Sequence, residues 1–72
     1  MDMLLNKSNS EQVRHIFRKN EETYCVAMNL HTMENYIVNI ENDKIKLSSK
    51  DTDIFVDDED FNVNYKIREI EY

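Results

Sequence analysis

Glycine, proline and tryptophan are absent from this 72-residue chain, and cysteine occurs once. Average usage at this length would supply about five glycines and four prolines. Phosphate-cradling loops, nucleophile elbows and dinucleotide fingerprints need glycine for positive φ or for close backbone approach, so none can form here in its usual guise. Cys25 cannot close an intramolecular disulfide by itself, which makes a reducing compartment the expected one. No run of eighteen apolar residues exists to span a membrane. The opening "MDMLLNKSNS" has an acid at position 2 and only three consecutive apolar residues, so it does not read as a secretion signal. The expectation is a cytoplasmic protein of a bacterial host cell with no membrane partner.

The length points to one domain over residues 1–72, near the lower limit for independent folding. A chain of this size buries only about 60% of its extended surface. Without a disulfide, self-association is the leading candidate for extra stability, with a homodimer as one form it could take. Abundant Asn, Ile, Lys and Asp suggest an A/T-rich coding source such as a low-GC bacterium, its phage or a plasmid.

The net charge of −6 is unevenly placed. Residues 1–20 carry four bases against two acids, residues 21–50 three against five, and residues 51–72 two against eight. A nucleic-acid binder needs a basic stripe. Arg14, Arg18 and Lys19 make only a small one, so direct nucleic-acid binding is not expected.

Periodicity divides the chain after Asn20. Before it, Ser8 and Glu11 form a capping-box pattern, and Val13, Ile16 and Phe17 form one apolar stripe. Arg18 and Lys19 suit the last turn of the helix dipole. Asn20 is the expected left-handed terminator. The spacing predicts a helix over about 9–19, with residues 1–7 frayed. Beyond Asn20 the period becomes two. Tyr24, Val26, Met28 and Leu30 alternate with Cys25, Ala27 and Asn29, and Tyr36, Val38 and Ile40 alternate with Ile37 and Asn39. "ENDK" at 41–44 reads as a hairpin turn, because Asn and Asp tolerate the left-handed region. Ile45 and Leu47 follow on one face, and then Phe61, Val63, Tyr65 and Ile67 on another. The expected fold is α+β: an N-terminal helix on a three- to four-stranded antiparallel meander, with residues 48–60 as an acidic connection.

That connection contains "DTDIFVDDEDF", whose first ten residues hold six carboxylates and no base. The plainest reading is a solvated loop that keeps a small domain soluble. Calcium binding is not expected. Asp51 and Asp53 resemble the opening of an EF-hand loop, but Val56 stands where glycine is needed and Asn62 where glutamate is needed. The sharper reading is phosphate mimicry. Alternate strand residues lie about 6.8 Å apart, a spacing compatible with the phosphates of DNA at ~3.4 Å rise each. Asp51, Asp53, Asp57, Asp58, Glu59 and Asp60 would attract a basic, nucleic-acid-binding surface on a host protein, and Ile54 and Phe55 would anchor the contact.

In size, acidity, single-domain organisation and lack of catalytic motifs, the chain resembles the small acidic inhibitors that phages and mobile elements direct against uracil-DNA glycosylase, restriction enzymes and CRISPR nucleases. The resemblance implies a non-catalytic DNA mimic that inhibits or modulates a host protein, and it assigns no residue roles. "DTDIF" is also similar to the short Q-L-[SD]-L-F peptide that docks on bacterial sliding clamps, although Asp51 and Thr52 depart from that pattern.

Catalysis is not expected, and neither is a cofactor or metal. Cys25, His15 and His31 match no zinc spacing. Cys25 falls mid-strand, where an inert buried thiol is the common case. The alternative function is a structural module that homo-oligomerises through its sheet.

Overall fold

The computed structural model describes residues 7–71. Most of the segment expected to fray, together with Met1, Met3 and Tyr72, lies outside the described residues. The chain forms α1 (Asn9–Lys19), β1 (Tyr24–Asn29), β2 (Asn35–Glu41), β3 (Lys44–Ser48), β4 (Asp53–Val56), α2 (Asp58–Asn64) and β5 (Tyr65–Glu71). The α+β class holds, with five strands rather than three or four. Sheet order is β4-β3-β2-β1-β5 and every pairing is antiparallel. The first three strands follow the expected meander, but the fourth, β4, lies inside the stretch expected as a connection, and the last expected strand, β5, pairs with β1 at the opposite edge.

Helix α1 forms for the reasons legible in its residues. The Ser8 hydroxyl accepts from the Glu11 N–H, and the Glu11 carboxylate accepts from the Ser8 N–H. Val13, Ile16 and Phe17 are buried. The terminator differs from expectation, since Asn20 is extended at φ −153°. Its side chain accepts from the Glu22 N–H at 3.0 Å and its carbonyl from the Thr23 N–H at 3.1 Å, so hydrogen bonds to the following residues end the helix without a left-handed residue. The 41–44 turn does use the left-handed region. Asn42 and Asp43 have φ of 54° and 66°, the two positive values that a type I′ hairpin demands.

Two regions differ more. Phe61 and Val63 were expected in a strand that instead starts at Tyr65. Asp57 caps α2, its carboxylate accepting from the Asp60 N–H at 2.8 Å, and Asp58, Glu59 and Asp60 occupy the first turn, where the helix dipole favours negative charge. Phe61 and Tyr65 therefore come together at i, i+4, with rings stacked at 5.8 Å, while Val63 faces outward at 65% exposure. Tyr65 is buried. In β1 the buried side chains are Cys25 and Ala27, not the larger Tyr24, Val26 and Met28. β1 runs between β2 and β5, both of which α1 contacts, and its small inward residues Cys25 and Ala27 share the core with Val13 and Phe17.

One core results. Val13, Phe17 and Phe61 from the helices close over Cys25, Ala27, Val38, Ile45 and Leu47 from the sheet. Both helices thus cover the same face, and α2 belongs to the connection that carries the chain from the β4 edge to the β5 edge. Arg14 ties the layers together. Its Nε and Nη2 donate to the two Asp58 oxygens at 3.0 and 2.9 Å, and its Nη1 and Nη2 donate to Asp43 Oδ1 and the Asp43 carbonyl, both at 2.8 Å.

Candidate functional site

The face of the sheet away from the helices has no layer over it among the described residues. Ladder register sets its rows. Glu69, Val26, Ile37, Ser48 and Asp53 follow one another across all five strands, and Asn39, Lys46 and Phe55 form the neighbouring row. Tyr24, Ile37 and Phe55 are exposed at 46%, 40% and 51%. Next to this face, Tyr24, Val26, Met33, Ile37 and the 48–52 connection border a wide, shallow depression.

Edge strand β4 supplies the sharpest part of this surface. Ile54 and Val56 turn inward opposite Leu47 and Ile45, so Phe55 must turn outward, beside Lys46. The apolar residues of the acidic stretch thus form a short strand, within what was expected to be a connection. Asp53 shares the outward face with Phe55, and its carboxylate lies 3.8 Å from Lys46 Nζ, which also donates to Glu41 at 3.1 Å. Asp51 is exposed in the preceding hairpin connection, which the Ser49 N–H to Thr52 carbonyl bond closes.

The six acids of 51–60 do not share one surface. Asp51 and Asp53 lie by the open face at the β4 edge, and Asp57 caps α2. Asp58 is held by Arg14 on the helical side, and that guanidinium lowers its pKa below the ordinary value of 3.8, chiefly through the hydrogen bonds. Asp60 accepts from the Asn64 amide, whose oxygen in turn bonds His31 Nε2 at 2.9 Å. Glu59 is exposed in the first turn of α2. A phosphate-like row along the whole stretch is not formed, because half of these carboxylates hold the fold together. The sequence carries the signal for that split: an aspartate cap followed by three acids marks a helix start.

No family pattern matches the chain, and neither a curated protein nor a solved structure is significantly similar to it.

Other reactive side chains are placed for packing or turns. The Cys25 thiol is 1% exposed, and burial pushes its pKa up from 9.0 to about 11. A thiol so protonated at neutral pH is a poor nucleophile. Cys25 points into the core, and about 13 Å of strand separates it from Asn29, after which the turn bearing His31 begins. The two cannot work as a pair. Among the described residues no three His, Cys, Asp or Glu side chains converge, and no helix is long and apolar enough to cross a membrane.

Proposed function

We propose that this chain is a non-catalytic binding protein that modulates or inhibits a host protein bearing a basic, nucleic-acid-handling surface, and that it docks through the β4 side of its open face. The observation that carries the reading is Phe55, a large aromatic left 51% exposed on an edge strand, with Asp53 beside it and Asp51 just before it. Contiguous exposed apolar surface rimmed by polar residues marks interaction sites, and an apolar anchor at the centre of a contact carries much of its binding energy. Carboxylates would steer a basic partner in, and the phenyl ring would then hold it. The DNA-mimic element narrows to Asp51 and Asp53 at the β4 edge, with Glu59, exposed on the neighbouring first turn of α2, the one other acid of the stretch that serves neither as cap, helix clamp nor amide acceptor.

The triple reversal Asp51→Lys, Asp53→Lys, Glu59→Lys leaves the Arg14 clamp and the α2 cap intact. It is expected to keep the thermal midpoint within a few degrees while abolishing capture of host proteins that duplex DNA elutes from the wild type. Phe55→Ala should weaken the same capture without changing its sensitivity to DNA. Capture unaffected by either variant would contradict the reading.

A second reading, self-association through the sheet, draws on exposed Tyr24 and Ile37 on the same face. It requires a dimer that persists in ~1 M salt, where charge is screened within about 3 Å.

A further inference from the structure

We infer that the partner is engaged by strand addition: an extended segment of it, rich in alternating basic and apolar residues, pairs with the outer edge of β4 and continues the sheet. This rests on the reading above and specifies how the docking is made. Two edges are available. β5 carries a bulge where its pairing with β1 shifts register at Val26/Ala27, leaving Arg68 without a partner in the ladder, and bulges of this kind twist an edge away from a further strand. β4 pairs with β3 in unbroken register, and among the described residues no side chain or loop hydrogen-bonds the backbone of its outer side.

Residue pairs in an antiparallel ladder alternate between mutually bonded and outward-facing. The Ser49–Thr52 bond closes the hairpin, so the alternation turns the backbone N–H and C=O of Asp53 and Phe55 away from β3. An added strand would bond those groups. On the helical side its side chains would extend the row of Ile54 and Val56, which calls for apolar residues. On the open side they would meet Asp53 and Phe55, which calls for a base and a flat or apolar group. Lys46 and Lys50 are the nearby cations of this chain, and Lys46 is already engaged by Glu41 and Asp53.

A second copy of β4 is a poor occupant. Antiparallel self-pairing centred on Phe55 sets Asp53 of one copy against Asp57 of the other, and centring on Ile54 sets Asp51 against Asp57. Like charges directly opposite destabilise a sheet. Charge thus selects a basic strand over a duplicate of this one.

The test uses the full chain, isotope-labelled, titrated with a heptapeptide of alternating lysine and valine. Controls are the same residues in block order and the alternating glutamate–valine peptide. The alternating basic peptide should shift the amides of 53–57 and slow their deuterium exchange, and both controls should bind at least tenfold more weakly. Two variants separate strand addition from charge steering alone. Asp53→Ala removes the carboxylate, whereas Asp53→Pro removes the carboxylate and the outward N–H at the first position of an edge strand, where proline is tolerated. Asp53→Pro should bind the peptide about fivefold or more below Asp53→Ala, as the loss of one backbone hydrogen bond implies, while both show the wild-type spectrum elsewhere. Equal affinities of the two variants, or equal binding of alternating and block peptides, would overturn strand addition and leave charge-steered docking standing. Shifts and slowed exchange along β5 with β4 unchanged would overturn it too.

Discussion

Replacing Phe61 with alanine should remove the cooperative unfolding transition of this domain at physiological temperature. The ring is completely buried, stacks on Tyr65, and stands where α2 meets both α1 and the sheet. Large-to-small changes of this kind cost about 3–5 kcal/mol, since lost transfer energy and an unfilled cavity add. A domain of this length has roughly 4–11 kcal/mol in total, and a chain with no disulfide lies toward the low end. Far-ultraviolet circular dichroism during a thermal ramp is the measurement. A broad, sloping melt is expected for Phe61→Ala, and a sharp one for Phe61→Leu, which keeps most of the volume. A sharp melt for the alanine variant within a few degrees of the wild type would show that Phe61 is not the keystone of the core.

Arg14→Met should lower the melting midpoint and flatten the acid limb of stability. The guanidinium makes paired hydrogen bonds to Asp58 and two more to Asp43, linking α1, α2 and the β2–β3 turn. Hydrogen bonds to charged groups contribute about 1.5–3 kcal/mol when well buried. Asp58 is 45% and Asp43 94% exposed, so solvent screening brings the expected loss to about 1–2 kcal/mol. For a domain of this size that is roughly 5–15 °C. Arg14 lowers the folded-state pKa of Asp58, so the contribution of this carboxylate is present above its ordinary value of 3.8 and is lost as pH falls through the lower folded value. The wild type should therefore lose stability more steeply than Arg14→Met below about pH 4. Urea midpoints recorded across that range decide it. Parallel acid limbs for the two proteins would mean that the clamp does not couple Asp58 to folding.

Much of the architecture was legible because local and global preferences coincide. The capping box, the Val13–Ile16–Phe17 stripe and the Asn-Asp turn each name their own geometry, and each forms as read. The class followed from one helical period and then several strand periods. Misreadings arose where two periods fit the same residues. Phe61, Val63 and Tyr65 alternate like a strand, yet Phe61 and Tyr65 are also neighbours on a helix, and the Asp57 cap decides for the helix. In β1 the alternation marks two faces without saying which is inward, and the structure buries Cys25, as read, together with Ala27. The placement of β5 beside β1 depends on how the connection over the core returns the chain, and no local pattern encodes that.

For the candidate surface the sequence identified a stretch but could not divide it. Asp58 pairs with a residue 44 positions away, so its structural job is visible only once the chain is folded. Phe55 stood out in the sequence as an apolar residue with acidic flanks, and the structure leaves it exposed. Its outward direction depends on the pairing of Ile54 and Val56 with Leu47 and Ile45, which only the ladder reveals.

The most direct measurement is a hydrogen-exchange footprint of the chain in complex with the host protein it captures, compared with the free chain. Slower exchange should be concentrated at residues 51–57, with α1 and β5 unchanged. Protection confined to α1 or β5, with 51–57 exchanging as fast as in the free chain, would contradict docking at β4.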